Sequence, residues 1–375
     1  MDRPRTALLL LVVSVASLTA CGHRRHRVRG TNDVTATSAP VASTNSIALT
    51  GAAQSLTRVT SDNADEFGPA LSPSGRTLLF TAMEGPSGSI LGVDPSAGAG
   101  RMVYTPSNVS ATYPSWLPDE SGFVYVSNVG GAPAIVRAVT AGPNSAVSVV
   151  VDSHVAQTPA YPQVSPDGRH LAFNASMRGE TTVIVSAVDG SKVTLLGAGE
   201  HPVWSADGKR LVFARPVGVA VQLFSVDAER GTGLTQITSD DVVHFWPSFS
   251  PDGRWILFQS NRGWQTVPGG SAASVSNLFA VHPDGTGLTQ LTSGESRAQT
   301  PYWGKDGWIY FSADEDGNGR HNIWRFQPAG ELAGGVALVT NPVPGGNGVT
   351  VTGAATVQGS VTVAPAPSVP SLRKP

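Results

Sequence analysis

The chain has 375 residues, with 25 Lys and Arg against 27 Asp and Glu, so its formal net charge is only −2. This balance excludes the strongly basic surface that a nucleic-acid-binding protein presents. The 42 Gly and 28 Pro residues, with few apolar periods of helical length beyond the amino terminus, predict frequent turns and an all-β fold.

Residues 1–20 have the pattern of an export signal. Arg3 and Arg5 precede an apolar run over residues 7–15 that is too short to span a bilayer comfortably. The sequence LTAC at residues 18–21 resembles the lipobox of bacterial lipoproteins. That resemblance implies cleavage before Cys21 and acylation of this cysteine, which is the only one in the chain. The alternative is an ordinary signal peptide followed by an incidental cysteine.

Residues 21–53 are basic and rich in Ser and Thr, which predicts a flexible tether. The cluster HRRHRVR at residues 23–29 would lie at the membrane surface, where each positive charge is worth about 1 kcal/mol near anionic head groups. A solvated spacer is the alternative. A tether of roughly 28 residues would reach on the order of 30 Å. We therefore expect an exported protein of the bacterial cell envelope, lipid-anchored through Cys21 and periplasmic or surface-exposed.

Residues 54–342 contain six versions of one stretch at a spacing of roughly 40 to 50 residues, which is typical of a propeller or an array. Each version begins with a residue followed by proline, continues to a turn of the type Ser-Pro-Asp-Gly and ends in alternating apolar residues. The six copies start at Gly68, Tyr113, Tyr161, His201, Trp246 and Thr300.

The order of residue types within each copy predicts a β-hairpin. We expect the proline at the first residue of a strand, where its missing amide donor costs least. In the turn Ser165-Pro166-Asp167-Gly168, proline and glycine supply the backbone angles that a tight turn needs. A second apolar run and a second turn follow, most clearly from Leu223 and Leu278. Two hairpins per copy predict a six-bladed β-propeller of four-stranded antiparallel blades.

The strand that closes the last blade has two candidates. A motif Leu-Thr-x-x-Thr ends the copies near residues 234–238 and 288–292, and it also occurs before the first copy at residues 56–60. We therefore expect residues 55–60 to complete the sixth blade and to remove its open edge. Residues 336–340 resemble the same strand and are the rival candidate.

These repeats resemble those of the TolB-like β-propeller family. The resemblance covers approximately residues 55–340 and is carried by SPDG at 165–168 and at 250–253 and by the Leu-Thr-x-x-Thr strands. It implies a propeller scaffold, and together with the lipobox-like LTAC we expect a non-catalytic, lipid-anchored propeller that binds an envelope protein or glycan. The chain has no room before residue 55 for the α/β domain that precedes the propeller in the family's namesake. Residues 343–375 read as a Val-, Thr- and Pro-rich tail of undetermined role.

The alternative function is an envelope enzyme, a propeller lyase or hydrolase, acting on carbohydrate or peptide at the mouth of the channel. Related peptidases carry a Gly-x-Ser-x-Gly elbow, which does not occur here. Related lyases cluster histidines around a metal, whereas the histidines of this propeller are scattered. His201 and His244 precede the opening strands and are the candidate ligand contacts at the channel mouth, with ordinary loop histidines as the alternative. We commit to no metal site.

Three further features are candidate sites. Asp314, Asp316 and Asn318 place oxygen donors at alternate positions, as in the first half of a calcium loop. The twelfth position, however, is Arg325, where a calcium loop has a bidentate glutamate. The alternative is an ordinary strand-to-strand turn, which favours the same residue types. Trp264, in an insertion over residues 261–276, is a candidate partner contact or a loop packed on its blade. The tryptophans at 116, 204, 246 and 303 recur at similar positions of the repeat, and we expect them to pack between blades.

Overall fold

A computed structural model describes residues 47–61, 63–97, 102–105, 109–128, 131–139, 147–262, 276–294, 297–315 and 319–335. The expectations for the signal, residues 21–46 of the tether, Cys21, Trp264, Asp316, Asn318, residues 336–340 and the tail lie outside these ranges. Two amino-terminal strands, β1 (Ala48–Leu49) and β2 (Ala53–Arg58), precede the repeats. Residues 47–53 of the expected tether are described and include strand β1, so the propeller begins earlier than residue 54.

Six four-stranded antiparallel sheets follow one another along the chain, as the repeats predict. Blade 1 consists of β3 (Asp65–Leu71), β4 (Leu78–Glu84), β5 (Ser87–Val93) and β6 (Met102–Val103). Blade 2 consists of β7 (Ala111–Trp116), β8 (Gly122–Ser127), β9 (Ala134–Val139) and β10 (Val147–Val151). Blade 3 consists of β11 (Gln157–Val164), β12 (His170–Met177), β13 (Glu180–Ala187) and β14 (Thr194–Ala198).

The second half of the ring repeats this plan. Blade 4 consists of β15 (Glu200–Trp204), β16 (Arg210–Val217), β17 (Ala220–Asp227) and β18 (Thr235–Gln236). Blade 5 consists of β19 (His244–Phe249), β20 (Ile256–Ser260), β21 (Asn277–Val281) and β22 (Thr289–Gln290), and β23 (Thr292–Ser293) continues its outer edge. Blade 6 consists of β24 (Gln299–Trp303), β25 (Ile309–Ala313), β26 (Asn322–Pro328) and the amino-terminal β2. A 3-10 helix, Gly330–Gly335, comes after β26.

The hydrophobic core is divided among the interfaces between blades. Six clusters of buried side chains are present, and each joins two neighbouring blades. Phe80 of blade 1 shares a cluster with Tyr310 and Ile323 of blade 6, so the ring is closed. Because no blade buries its apolar face alone, the blades depend on one another for stability.

The amino-terminal strand closes the last blade, which confirms the first of the two candidates. Strand β2 pairs antiparallel with β26, with Ala53 opposite Pro328 and Arg58 opposite Trp324. The strand ends two residues earlier than expected, because Thr60 takes part in the seam through its side chain. Its hydroxyl donates to the carboxylate of Glu66 and accepts from the backbone N–H of Ile323 at 2.8 Å.

The Ser-Pro-Asp-Gly turns form through their own side chains. In blade 3 the Ser165 hydroxyl donates to Asp167 Oδ1 at 2.5 Å and accepts from the backbone N–H of His170 at 2.9 Å. Gly168 has φ +72°, which only glycine adopts readily. Ser205 and Ser250 make the same pair of bonds in blades 4 and 5. The motif is therefore explained by the turn it builds.

The strand connections define the two ends of the central channel. The turn face carries the connections between the first and second strands of each blade, such as residues 165–169. The tip face carries the connections between second and third strands, such as residues 218–219, because antiparallel neighbours reverse direction at each turn.

Candidate functional site

Six residues, one from each first strand, surround the axis of the channel in a left-handed backbone conformation. Their φ angles lie between 45° and 62°, and each residue directly precedes a proline. They are Gly68, Tyr113, Tyr161, His201, Trp246 and Thr300. Five of the six are not glycine, and such residues avoid positive φ unless their surroundings hold them there.

A β-bulge at this position explains the conformation. The register of the first strand shifts in every blade around the left-handed residue, for example between Ala160 and Gln163 in β11. The expectation that the proline opens the strand is therefore wrong: Pro162 lies inside β11. The ladder is already broken at the bulge, so a proline without an N–H is tolerated there.

The backbone amides freed by the bulge find partners in the preceding blade. The N–H of Tyr113 donates to Thr81 Oγ1 at 2.9 Å, and the N–H of His201 donates to Asn174 Oδ1 at 3.1 Å. The N–H of Gly68 donates to Thr300 Oγ1 at 3.1 Å, across the seam between blades 6 and 1. These bonds hold Tyr113, His201 and Gly68 against the axis.

The aromatic members of this set form a plug across the channel. Tyr113 and Tyr161 contact each other with ring centroids 4.4 Å apart, and Tyr161 lies 4.7 Å from Trp246. Tyr113 of blade 2 stacks on Trp246 of blade 5 at 5.5 Å, although these blades are opposite each other in the ring. We call Tyr113, Tyr161, His201 and Trp246 the aromatic plug. Trp246 thus lies on the channel axis, which corrects the expectation that it packs between blades.

The other three recurrent tryptophans pack between blades as expected. Trp116 Nε1 donates to the carbonyl of Ala70 at 3.0 Å, and Trp204 Nε1 donates to the carbonyl of Gln163 at 3.0 Å. In both cases the acceptor belongs to the preceding blade. Trp303 shares the hydrophobic cluster between blades 5 and 6.

His201 is the polar member of the aromatic plug. Its ring lies 4.3 Å from Tyr161 and 3.9 Å from Trp246, and 8% of the residue is exposed. Neither ring nitrogen has a hydrogen-bond partner within the described part of the chain. Burial lowers the pKa of His201 to about 3, so the imidazole is neutral at neutral pH. Its position at the channel agrees with the sequence expectation, but it lies within a buried strand and not in a loop.

A funnel opens from the aromatic plug toward the turn face, with a volume of about 470 Å³. Its floor is the aromatic plug, its wall includes Trp116, Trp204 and Trp303, and its rim includes Pro166 and Pro251. Two wall hydroxyls accept hydrogen bonds from the next blade: Ser115 Oγ accepts from the N–H of Val164 and Ser248 Oγ accepts from the N–H of Trp303, each at 3.1 Å.

One lining residue of the funnel, Lys305, has a side chain that is charged at neutral pH. Lys305 is exposed and belongs to the turn of blade 6. Among the described residues, the lining of the funnel is therefore aromatic, proline-rich and otherwise uncharged, with one lysine at the rim.

His244 takes part in a different arrangement near the tip face. Its Nε2 lies 2.9 Å from Asp240 Oδ1 and its Nδ1 lies 3.0 Å from Ser260 Oγ. Arg262 forms an ion pair with the other oxygen of Asp240. Burial lowers the pKa of His244, although Asp240 opposes the shift. The side chain of His244 is 1% exposed and Ser260 is equally buried, so this carboxylate–imidazole–hydroxyl chain is closed to a substrate.

Further carboxylates lie at the tip face. His321 Nδ1 lies 2.9 Å from Asp65 Oδ1 and joins blades 6 and 1. Asp314 is buried, with its Oδ2 accepting from the N–H of Gly319 at 2.9 Å and its Oδ1 lacking a partner among the described residues. Asp316 and Asn318 lie outside the described ranges, so the calcium hypothesis stays a prediction. Within those ranges no three His, Cys, Asp or Glu side chains are grouped for a metal ion.

The sequence reasoning missed the channel ring as a set. The signal was available, since the residue before the proline is aromatic or histidine in four of the six copies. The turn after the proline is the more uniform signal of the repeat, and nothing in a linear pattern shows that Tyr113 and Trp246 meet across an axis.

Comparison with known proteins supports the same fold. A model of the TolB beta propeller domain matches residues 160–267. The chain is 27% identical over 199 residues to the uncharacterized peptidase YuxL of Bacillus subtilis strain 168, covering 42% of this chain and 29% of that protein. It is 24% identical over 147 residues to the Tol-Pal system protein TolB of Francisella tularensis subsp. mediasiatica, covering 38% of this chain and 31% of that protein.

Among solved structures, TolB from Acinetobacter baumannii superposes with a TM-score of 0.53 at 22% identity, covering 65% of this chain and 58% of that chain. The matches span from 29% to 57% of the length of the first curated relatives. In the described residues, no helix is long and apolar enough to cross a membrane. The chain therefore carries TolB-like propeller repeats at an identity too low for it to be TolB itself.

Proposed function

We propose that this TolB-like β-propeller protein is a non-catalytic, lipid-anchored binding protein of the bacterial cell envelope, and that its funnel receives an apolar segment of a partner protein. The observation that carries the proposal is the funnel itself. It is preformed on a closed ring of blades, it is lined by tryptophan, tyrosine and proline, and the aromatic plug closes its floor. Concave sites of this composition bury apolar groups and use few polar contacts for orientation.

The rigidity of the site supports binding of a partner without rearrangement. Bulges, inter-blade amide bonds and ring stacking hold the floor, so little conformational entropy is lost when a ligand enters. Tryptophan and tyrosine, which line the funnel, are also the residue types that often contribute most of the binding free energy at protein interfaces.

The anchor is proposed from the sequence. The lipobox-like LTAC at residues 18–21 and the basic cluster at residues 23–29 are the features of an acylated amino terminus next to anionic lipid. Acylation at Cys21 would keep the propeller at the membrane surface of the envelope.

An enzymatic role has less support. One relative bears the name of a peptidase, but the match covers only 29% of that protein. The arrangement that most resembles a catalytic relay, Asp240, His244 and Ser260, is buried, so a scissile carbonyl has no path to Ser260 Oγ. His201 at the floor of the funnel is a poor general base, because burial lowers its pKa to about 3 and covers both of its ring nitrogens.

The proposal is tested by photocrosslinking in intact cells. A benzoylphenylalanine at Ala206, which lines the funnel and is exposed, should capture a defined protein. The matched control is the same group at Glu229, which is exposed on another turn of the same blade outside the funnel. An adduct at Ala206 that is absent at Glu229 supports the proposal.

Two results would contradict it. If Ala206 and Lys305 both fail to yield a protein adduct while the full chain is present in the envelope, the funnel is not a protein-binding site. Turnover of cell-wall or polysaccharide fragments by the purified protein, lost when the funnel is blocked at Ala206, would instead establish the enzymatic alternative.

A further inference from the structure

We propose that the tip face rests on the lipid bilayer, led by the apolar tip of blade 4 at Val217 and Val219, so that the funnel points away from the membrane. This inference rests on the lipid anchor of the proposed function. Beyond the anchor, it specifies a second membrane contact at the tip face and the orientation of the propeller relative to the membrane.

The tip of blade 4 exposes apolar side chains without a partner. Val219 is 95% exposed and Val217 is 42% exposed. Gly218, which separates the two valines, and Pro216, which precedes them, are exposed as well. The ladder between β16 and β17 continues to its last pair, Val217 opposite Ala220. The valines are therefore presented at the end of a regular hairpin, where burying them requires an apolar environment outside the protein.

The neighbouring tips differ in composition. In blade 1 the connection of Gly85 and Pro86 follows Glu84, the last residue of β4. In blade 3 the connection of Arg178 and Gly179 precedes Glu180, the first residue of β13. Among the tips whose residues are all described, that of blade 4 is the apolar one. This arrangement fits the interface of a bilayer: the apolar tip would insert shallowly into the lipid, while the neighbouring polar and charged tips would contact the head groups.

The chain joins the propeller on the same face. Strand β1 pairs antiparallel with β23, with Ala48 opposite Ser293 and Leu49 opposite Thr292. Because β23 runs toward the tip face at the end of blade 5, the antiparallel β1 starts at that face, and the described chain begins there at Ile47. If residues 22–46 form the expected flexible tether, their mean reach on the order of 30 Å keeps the acylated end near this face. The point at which the described chain begins and the exposed valines thus lie on the same face.

The consequence concerns the funnel. With the tip face toward the lipid, the turn face and its rim are directed into the aqueous compartment, where a partner segment has free access. Acylation and shallow insertion would act together, since a second membrane contact near the anchor benefits from the high local concentration of lipid.

The test places an environment-sensitive fluorophore on the full lipidated chain. The thiol of Cys21 is blocked by acylation, so Val219→Cys and Leu234→Cys can each be labelled singly with nitrobenzoxadiazole. Leu234 is the matched control, because it is 45% exposed and lies next to the turn face of the same blade. The labelled proteins are reconstituted on vesicles of equimolar phosphatidylethanolamine and phosphatidylglycerol, and flotation with the vesicles reports the anchor.

We expect the label at residue 219 to show blue-shifted emission and severalfold weaker iodide quenching on vesicles than in their absence, with no change for the label at residue 234. If the protein floats with the vesicles and the two labels behave alike, the proposed orientation is overturned while the anchor stands. If the protein does not float, the anchor fails and the orientation fails with it. Shielding of residue 219 in native membranes but not in pure lipid would assign the tip to a protein partner and overturn the lipid contact. Should Val219→Cys fail to fold, Val217→Cys gives the same readout.

Discussion

At the scale of single residues, the closing seam depends on a buried carboxyl group. Glu66 has no solvent exposure, and it accepts hydrogen bonds from the hydroxyl of Thr60 and from Asn322 Nδ2 at 3.4 Å. Burial raises the pKa of Glu66 to about 7, and these hydrogen bonds together with nearby Arg58 only partly offset that effect. Three segments meet here: the connection after β2, blade 1 and blade 6.

The sign of the resulting pH dependence follows from the raised pKa. Between the ordinary pKa of 4.5 and about 7, the unfolded chain releases the proton of Glu66 while the folded protein retains it. The contribution to stability is therefore fully present below pH 4.5 and is lost as the pH rises through 7. The shift corresponds to about 3 kcal/mol.

We predict that Glu66→Gln removes this loss. The amide oxygen can still accept from Thr60, and a neutral side chain does not ionise in the buried seam. The quantity to measure by urea unfolding is the free energy of unfolding of the variant minus that of the original protein. This difference should be about 3 kcal/mol larger at pH 8 than at pH 5. The exposed Glu180→Gln is the control and should follow the original protein. The prediction would be contradicted if the free energy of unfolding of Glu66→Gln differed from that of the original protein by the same amount at pH 5 and at pH 8.

At the scale of the elements, the six turns are not interchangeable despite their common motif. Blade 6 has Gly304 where blades 3, 4 and 5 have serine. A Cβ at Gly304 would lie 2.4 Å from Asp306 Oδ1 and 3.0 Å from Leu71 Cδ2 of blade 1. Asp306 is held in place, because its Oδ2 accepts from the hydroxyl of Tyr310 at 2.6 Å. Asp306 of the same turn, together with Leu71 of blade 1, therefore leaves no room for a side chain.

We predict that Gly304→Ser destabilises the protein although it restores the repeat consensus. The new Cβ must displace Asp306 or Leu71, and overpacking of this kind costs about 1–3 kcal/mol. The matched experiment is the reverse change in blade 5, Ser250→Gly, which should destabilise through loss of the hydrogen bonds to Asp252 and Trp255. Thermal melts of both variants test the pair. A higher melting temperature for Gly304→Ser would show that the consensus outweighs the local contact.

At the scale of the whole molecule, stability depends on closure of the ring. The apolar clusters lie between blades, and the edge of blade 6 is covered by a strand from the other end of the sequence. Ile47 and Ala53 belong to the cluster between blades 5 and 6, so the amino-terminal segment contributes both backbone pairing and apolar burial.

We predict that deletion of the residues between Cys21 and Val59 lowers the melting temperature by on the order of 10 °C or prevents folding. The deletion removes strand β2, which leaves the edge of β26 unpaired, and it removes Ile47 and Ala53 from a core cluster. Deletion of residues 22–46 alone leaves the described contacts intact and should leave the melting temperature unchanged. Differential scanning calorimetry of the two variants measures the contrast. Equal melting temperatures for both deletions would refute closure by β2 as a source of stability.

Much of the fold could be predicted from the sequence, because each blade is specified by local turn chemistry and by alternation. Ser165, Asp167 and Gly168 build their turn from their own side chains, and the same signal recurs along the chain. The closing strand was also predictable, since residues 56–60 share the motif of the outer strands. The position of Pro162 was not, because the bulge depends on pairing with the next strand.

What the sequence by itself determined is the unit and its number: short-range turn and strand preferences act within each copy, so six copies imply six blades whatever their arrangement in space. What only the tertiary structure decided is the candidate site. Tyr113 and Trp246 are far apart in the chain and meet because ring closure brings opposite blades to one axis. Burial of His201 against Tyr161 and Trp246 follows from that closure, since contacts between distant segments leave no mark in a linear pattern.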